Sequence, residues 1–333
     1  MGATRNRQWL LRARPVGMVK ESDFELAESA IPTPGEGEVL VQNLYLAFEP
    51  AMRGWMEDRP SYIPPVGIGE VMRGMTVGRV AQSRQPGIAE GDLVSAMGGW
   101  QEWFSTGLGV NKLPPGTDPT FALSVLGITG LTAYFGMQDL GKPREGETVV
   151  VSGAAGATGS VAGQIAKLQG CRVIGIAGGD AKCAWLTGEA AFDAAIDYKR
   201  EDVAARLAAL APSGVDVFFD NVGGAILEAV IGQIALRARI VLCGGISGYN
   251  EPEPQPGPRN LMNLVVRRGR MEGFIVMDYA PRFPEAMQQL SKWVGEGRIV
   301  HRVDVQKGFE NAPRTFQRLF RGENFGKQLL ELS

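Results

Sequence analysis

The sequence predicts an α/β protein: a doubly wound parallel sheet joined to a smaller, barrel-like β domain. Three observations carry that prediction. Apolar, Val/Ile-rich runs recur between residues 148 and 243 with helical patterns between them, as expected for parallel strands buried on both faces and joined by helical crossovers. The first third instead holds short β-rich segments separated by glycine and proline, the pattern of compact β architectures. Finally, 45 of the 333 residues are glycine, against a usual ~7%. They follow no period, so they mark tight turns and close backbone approaches rather than a fibrous repeat. The length itself suits two domains.

In chain order, residues 36–46, 75–83 and 92–97 are strand candidates of the β domain. The rhythm changes near residue 122. Strands are then expected at 148–152, 171–177, 194–197, 215–219 and 239–243, with helices such as 158–169 and 201–211 between them. A helix over 283–296 places Phe283, Met287, Leu290 and Val294 at core spacing. A further helical pattern runs through Phe309, Ala312, Phe316, Leu319 and Phe320, followed by a short strand at 327–332. Residues 251–258 (EPEPQPGP) read as a stiff, polyproline-like loop.

Composition excludes several function classes. With 44% hydrophobic and 21% charged residues and a net charge of −2, the chain has neither the signature of disorder nor a broad basic footprint for nucleic acid. The run Arg267-Arg268-Gly269-Arg270 is short enough to read as a solvated face. His301 is the sole histidine and the cysteines are Cys171, Cys183 and Cys243, so neither a zinc ligand set nor a Ser–His–Asp triad is expected. Three unclustered cysteines suit a reducing cytoplasm. The N-terminus has no apolar signal core, and Asn6 breaks the myristoylation pattern that Gly2 begins. No segment reaches the ~18 apolar residues of a membrane helix.

The chemistry is expected on glycine-rich loops. Residues 149–159, VVVSGAAGATG, join a strand to a helix. Gly156 then takes the place of the second glycine of a dinucleotide fingerprint, admitting backbone close to a pyrophosphate. Gly159 takes the third, for tight helix–strand packing, and Ala154 replaces the first. Ala155, Gly156, Ala157, Thr158 and Gly159 thereby surround a helix N-terminus suited to phosphate. Asp180 stands at the spacing of an acidic residue that binds the ribose of NAD, whereas Lys182 and the stretch Tyr198-Lys199-Arg200 suit a 2′-phosphate; the residues by themselves leave both cofactors open. Two further loops, Asp220–Gly224 and Cys243–Asn250, also follow strands. Cys243 reads as buried and inert.

Taken together, these residues identify a resemblance. Asn6–Leu11, Pro50–Gly54, Ser61–Pro65, Gly69–Met72, Gly127–Tyr134, the glycine fingerprint, Gly179–Lys182, Asp197–Lys199, Asp220–Gly224, Ile246–Asn250, Gly273–Val276 and Asn324–Lys327 occur in order. They resemble the zinc-free medium-chain dehydrogenases/reductases of the prostaglandin reductase, leukotriene B4 dehydrogenase and curcumin reductase branch, over nearly the whole chain. The resemblance implies a GroES-like substrate and catalytic domain from 1–122 and 303–333, around a Rossmann domain at 123–302. It implies NADPH/NADP as cofactor, with Lys182 and Tyr198 at the adenosine phosphate. The stretch Ala155–Thr158 would lie on the pyrophosphate. Asn221, Cys243, Gly244, Gly245, Ile246, Ser247, Tyr249, Phe274, Ile275, Val276 and Asn324 would line the rest.

The activity so implied is reduction of the carbon–carbon double bond of an α,β-unsaturated carbonyl compound. Quinone reduction and silent NADPH binding are the alternatives. The expected partners are that small-molecule substrate and, for assembly, a second copy in a homodimer; nucleic acid and membrane are not expected. The chain departs from the family in two places. Ala51 replaces a usual pocket tyrosine, and Val266 stands where some relatives carry a tyrosine. Tyr249 and Tyr62 are left as the candidate proton donors.

Overall fold

A computed structural model describes residues 5–253 and 255–332. Met1 and Gly2 lie outside the described residues, as does Pro254 of the proline-rich stretch. The chain divides into two units, one up to Leu123 and resuming at Val303, the other from Ser124 to Arg302.

The first unit contains β1 (Arg5–Leu11), β2 (Phe24–Ala30), β3 (Val39–Ala47), β4 (Thr76–Ser83), β5 (Leu93–Ala96), β6 (Trp103–Thr106) and β7 (Asn111–Lys112), with short helices α1 (Met52–Trp55) and α2 (Pro119–Ala122). The three strands expected here correspond to β3, β4 and β5. β1 and β2 form an antiparallel pair of their own that the sequence pattern does not signal. Most β2 side chains are exposed, so no buried face imposes an apolar alternation on them.

The second unit begins with α3 (Ile128–Phe135), which continues into a π-helical turn at Gly136–Gly141. It then alternates as β8 (Thr148–Ser152), α4 (Ala157–Leu168), β9 (Arg172–Ala177), α5 (Asp180–Thr187), β10 (Ala194–Asp197), α6 (Val203–Leu210), β11 (Val215–Asp220), α7 (Gly224–Ile231), β12 (Ile234–Leu242), α8 (Met262–Arg267), β13 (Arg270–Gly273) and α9 (Phe283–Gly295). The six strands lie in the order β10-β9-β8-β11-β12-β13, every neighbouring pair parallel. This is the dinucleotide-binding order, whose winding reverses between β8 and β11. Val149, Val150 and Val151 are fully buried, which accounts for their uninterrupted apolar run.

β12 starts five residues before the expected strand. Arg237 lies within it at φ 62°, and this kink divides the run and hides its first half from a periodicity argument. The α9 stripe is also corrected. Ala286 and Leu290 are buried while Met287 is 44% exposed, so the inward face is centred to one side of the expected stripe and Met287 falls on its rim.

The chain returns to the first unit through β14 (Val303–Lys307), α10 (Ala312–Arg321) and β15 (Lys327–Glu331). β15 pairs with β3 and β14 with β15, so the C-terminal segment completes a seven-stranded sheet begun by the N-terminal third. Phe24, Phe48, Trp100 and Phe316 stack and meet edge-on in its core. Phe48 and the lysine of β15 show how closely the two segments are joined: the buried Lys327 Nζ donates to the Phe48 carbonyl at 3.1 Å and to Glu49 Oε1 at 2.6 Å.

Candidate functional site

The carboxyl ends of β8, β9, β11 and β12 assemble most of the expected site residues. At the end of β8 the chain turns left-handed at Gly153, φ 57°. The left-handed turn therefore falls on Gly153 and not at Ala154, which is fully buried. A Cβ on Gly159 would come within 2.4 Å of the Gly153 carbonyl oxygen and 3.0 Å of Ala154 Cα, so only glycine lets α4 pack this closely on the strand. A Cβ on Gly156 would meet the same carbonyl at 3.1 Å. Gly156 is the N-cap of α4 and provides no capping side chain. The first-turn amides of a 12-residue helix thus carry the positive dipole end with no side-chain oxygen over them.

At the end of β9, Gly179 adopts φ 100° and α5 begins at Asp180. A Cβ on Gly178 would come within 2.8 Å of the Tyr198 ring and 2.9 Å of Lys199 Cε, so this glycine permits the β9 and β10 loops to touch. Asp197 fastens them: its Oδ1 accepts from Gly179 N at 2.9 Å and Lys199 N at 3.1 Å. The Gly179 amide holds the Asp197 carboxyl below its ordinary range. Lys182 lies half-buried in the first turn of α5, and the Tyr198 ring is 45% exposed. Asp180, which has the spacing of a ribose-binding acid, is bonded through both oxygens to Arg200 Nη1 at 2.7 and 2.6 Å.

Beneath the β8 and β11 loops lies a buried network that the sequence reading missed. Ser152 Oγ donates to Asp220 Oδ1 at 2.6 Å and accepts from Asn221 N at 2.8 Å. Asn221 Nδ2 donates to the Ser152 carbonyl at 2.7 Å. Asp220 also accepts from the amides of Val222 and Gly223 at 3.0 and 3.1 Å. Burial pushes the Asp220 carboxyl above its ordinary range, against the pull of these donors. The carbonyl of Asp220 accepts from Cys243 N and Gly244 N, and that of Asn221 from Ile246 N. One buried aspartate therefore sets the geometry of two loops. The signal available in the sequence was a serine and an aspartate, each ending an apolar strand.

In the β12 loop, Ser247 Oγ donates to the Val222 carbonyl at 2.6 Å. The Tyr249 hydroxyl accepts from Gly245 N at 3.1 Å, so its oxygen braces its own loop. Burial pushes the Cys243 thiol up to about 12, and a thiol held there stays protonated at neutral pH. Phe274, Ile275 and Val276 follow β13 and are half-buried. A Cβ on Gly136 would come within 2.9 Å of the Phe274 ring, which places that ring against the start of the π-helical turn. Val266, on α8, is 62% exposed.

Two candidates belong to the first unit. The Tyr62 ring is 54% exposed, and its hydroxyl accepts from Trp55 Nε1 at 2.9 Å. Desolvation pushes its pKa above that of an ordinary phenol, so it keeps its proton at neutral pH. Asn324 Nδ2 donates to the Gly326 carbonyl at 3.0 Å. Ala51, the N-cap of α1, packs against the aromatic core of this unit.

Among the described residues, no cluster of three or more His, Cys, Asp or Glu side chains could hold a metal ion, and no helix is long and apolar enough to cross a membrane. Comparison with known proteins matches residues 7–113 to the family model described as the N-terminal domain of oxidoreductase, and residues 157–292 to the model described as zinc-binding dehydrogenase. The chain is 44% identical to the NADPH-dependent curcumin reductase of Escherichia coli (strain K12), covering 99% of this chain and 97% of the relative. It is 40% identical to prostaglandin reductase 1 of Bos taurus, covering 98% of each. Among solved structures, CurA from Vibrio vulnificus in complex with NADPH superposes with a TM-score of 0.94 at 42% identity, over 98% of this chain and 99% of that one.

Proposed function

This chain belongs to the zinc-free prostaglandin and curcumin reductase branch of the medium-chain dehydrogenases/reductases, and from that premise we propose that it reduces the carbon–carbon double bond of α,β-unsaturated aldehydes and ketones. It is an NADP-dependent oxidoreductase. The observation that carries the reading is the carboxyl edge of the parallel sheet, where an uncapped helix N-terminus and three glycine-bearing loops surround the point at which the strand order reverses. The cradle that a Cβ at Gly156 or Gly159 would crowd fits a dinucleotide pyrophosphate.

In this reading the backbone of Ala155–Thr158 and the α4 amides bind the pyrophosphate, with Gly159 holding the helix close. Lys182 pairs with the 2′-phosphate and the Tyr198 ring covers the adenosine end. Asn221, oriented by Ser152 and Asp220, lines the remaining length with Cys243–Ser247, Tyr249 and Phe274–Val276. NADPH, when bound, supplies the hydride that reaches the β-carbon of the substrate. The charge that develops on the carbonyl oxygen is met by hydrogen-bond donors rather than a metal. The Tyr249 hydroxyl, which accepts from Gly245 N, is assigned the role of a donor toward that charge. Tyr62 keeps its proton at neutral pH, and the first unit is assigned the substrate role through Tyr62, with Asn324 assigned to the cofactor as the resemblance implies. Water returns the proton to the α-carbon.

NADPH oxidation followed with enals, cyclic enones, 15-keto lipids and quinones tests the reading. Turnover of enals and enones is expected, and it is expected to persist after exhaustive chelation. Turnover restricted to quinones would replace this reading with quinone reduction. Absence of any turnover would leave a silent NADPH-binding protein. Tyr249→Phe is expected to lower kcat by about tenfold or less with NADPH binding retained, since an orienting hydrogen bond is worth less than a general acid. Abolished turnover with cofactor still bound would make Tyr249 the essential acid. A homodimer in the cytoplasm completes the proposal; light scattering that returns the mass of one chain would refute the assembly.

A further inference from the structure

The amino edge of the same parallel sheet holds a feature that the reductase reading does not use. Lys142, Arg144, Arg237, Arg239, Arg268 and Arg270 line one concavity of about 400 Å³, a volume within the range of small-molecule sites. Three separate segments supply them: the turn before β8, the part of β12 from Arg237 to Arg239, and the junction of α8 with β13. Arg239 and Arg270 are cross-strand partners where β12 and β13 begin to pair, and the pairing runs on to Leu242 and Gly273 at the cofactor end. The concavity and the glycine-rich loops therefore occupy opposite ends of the strands. The basic run Arg267–Arg270, read from sequence as a solvated face, contributes two of the six cations.

The six residues divide into two sets. Arg239 and Arg270 are structural. Arg239 is paired with Glu147 and donates to the carbonyls of Gly141 and Lys142 at 2.9 and 3.1 Å, and Arg270 donates to the Leu140 carbonyl. Together they tie the end of the π-helical turn to the sheet. The other four, Lys142, Arg144, Arg237 and Arg268, are exposed. Among the described residues, no ion pair within 4.0 Å joins any of these four to a carboxylate.

The backbone supplies a second, independent observation. Among the described residues, the non-glycine positions with positive φ are Lys142 (43°), Ala191 (55°), Arg237 (62°) and Arg268 (50°). All but Ala191 line this concavity. Glycine or asparagine suits such a conformation better than a long cation does. Mutual repulsion also disfavours gathering like charges in a chain whose net charge is −2. Strain and repulsion thus meet at one place, and an anionic ligand relieves the second.

We propose that this concavity binds a small polyphosphate, an anion carrying two or more phosphate groups, independently of the cofactor edge. Guanidinium forks match phosphate oxygens two at a time, and four exposed cations, of which only Arg144 faces a carboxylate, that of Glu147 already bound by Arg239, call for more than one negative charge. The site is a pocket rather than an extended basic stripe, which favours a small molecule over a nucleic-acid duplex.

Inorganic pyrophosphate is the probe, added by calorimetry to protein holding NADP⁺ at a concentration saturating for each variant, so that the cofactor edge is filled. Arg237→Gly with Arg268→Gly removes two cations at positions whose backbone glycine adopts freely, so folding is not placed at risk. Wild type is expected to bind pyrophosphate. The double glycine variant is expected to bind about tenfold more weakly or worse, with an unchanged kcat for an enone and a melting temperature no lower than wild type. Lys182→Ala is expected to bind pyrophosphate as wild type does. No binding by wild type would overturn the proposal, as would unchanged binding by the double variant or equal loss in Lys182→Ala. Binding of a DNA duplex with none of pyrophosphate would also overturn it.

Discussion

The two edges of the six-stranded sheet solve the same backbone problem with different residues. At the carboxyl edge the left-handed positions belong to Gly153, Gly179, Gly223 and Gly224. At the amino edge glycine serves at Gly146, Gly170 and Gly214, but Lys142, Arg237 and Arg268 hold left-handed positions as well. The carboxyl edge needs absence of side chain, since a Cβ at Gly159 or Gly178 would run into backbone or a ring within 3 Å. The amino edge tolerates long side chains because they point into an open concavity. Charge follows the same division: the buried carboxylate at the carboxyl edge, Asp220, has neutral donors only, whereas Glu147 at the amino edge is bound by Arg239.

The largest effect expected from this contrast is at Gly159. Gly159→Val should push α4 from β8 and displace the amides proposed to bind phosphate. Misplacement by about 1 Å can cost ~100-fold, so kcat/KM for NADPH should fall at least that far. Steady-state kinetics near wild-type values would show that close packing at this edge is dispensable.

Lys182→Ala comes next. A charge-assisted contact to the 2′-phosphate is worth ~1.5–3 kcal/mol, less where solvent reaches it. NADPH affinity should drop by about tenfold or somewhat more while NADH affinity stays near its starting value. Equal weakening of both cofactors in a binding titration would remove Lys182 from phosphate recognition.

The two carboxylates should separate in acid. Burial opposes ionisation of Glu147, but the Arg239 bonds, the Arg144 amide and both positive charges outweigh it and leave the carboxyl below its ordinary range. A depressed carboxyl contributes stability above its unfolded value and loses it as pH falls through the folded one. Asp220 is raised, so its contribution has the opposite sign: the folded state binds the proton more tightly, and stability declines as pH rises through the carboxylate range. Melting curves between about pH 3 and 7 should therefore show Glu147→Gln flattening the rise of stability with pH. Asp220→Asn should remove an opposing slope. Parallel wild-type and variant curves for either residue would contradict its assigned shift.

The smallest effect is expected at Arg200. Its pair with Asp180 is exposed on both sides, and exposed pairs are worth ~0–1 kcal/mol. Arg200→Ala should change the NADPH-to-NADH preference by about fivefold or less. A larger shift toward NADH would mean that the pair itself keeps Asp180 from serving a ribose hydroxyl.

Much of the parallel sheet was legible because its causes are local. Apolar runs at β8, β9 and β11 stand out because both faces are buried, and the glycine fingerprint stands out because only glycine fits at Gly159. The β1–β2 ribbon and the first half of β12 were not legible. The former has few buried side chains, and the latter is broken by Arg237. The stripe on α9 was read with Met287 in the core because spacing alone does not say which side of a helix face the neighbours cover.

By itself the sequence determined the alternation of strands and helices, the positions of the glycine-bearing loops, the lack of a zinc ligand set and the family. These depend on residues close together in the chain, where periodicity and steric limits act directly. Tertiary structure decided the strand order, the bonding of Ser152 to Asp220 across 68 residues and the closure of Lys327 onto Glu49 across 278. It also decided the gathering of six cations from three segments at one end of the sheet. Such meetings are set by strand register and packing, which bring distant residues within bonding range without leaving a local pattern to read.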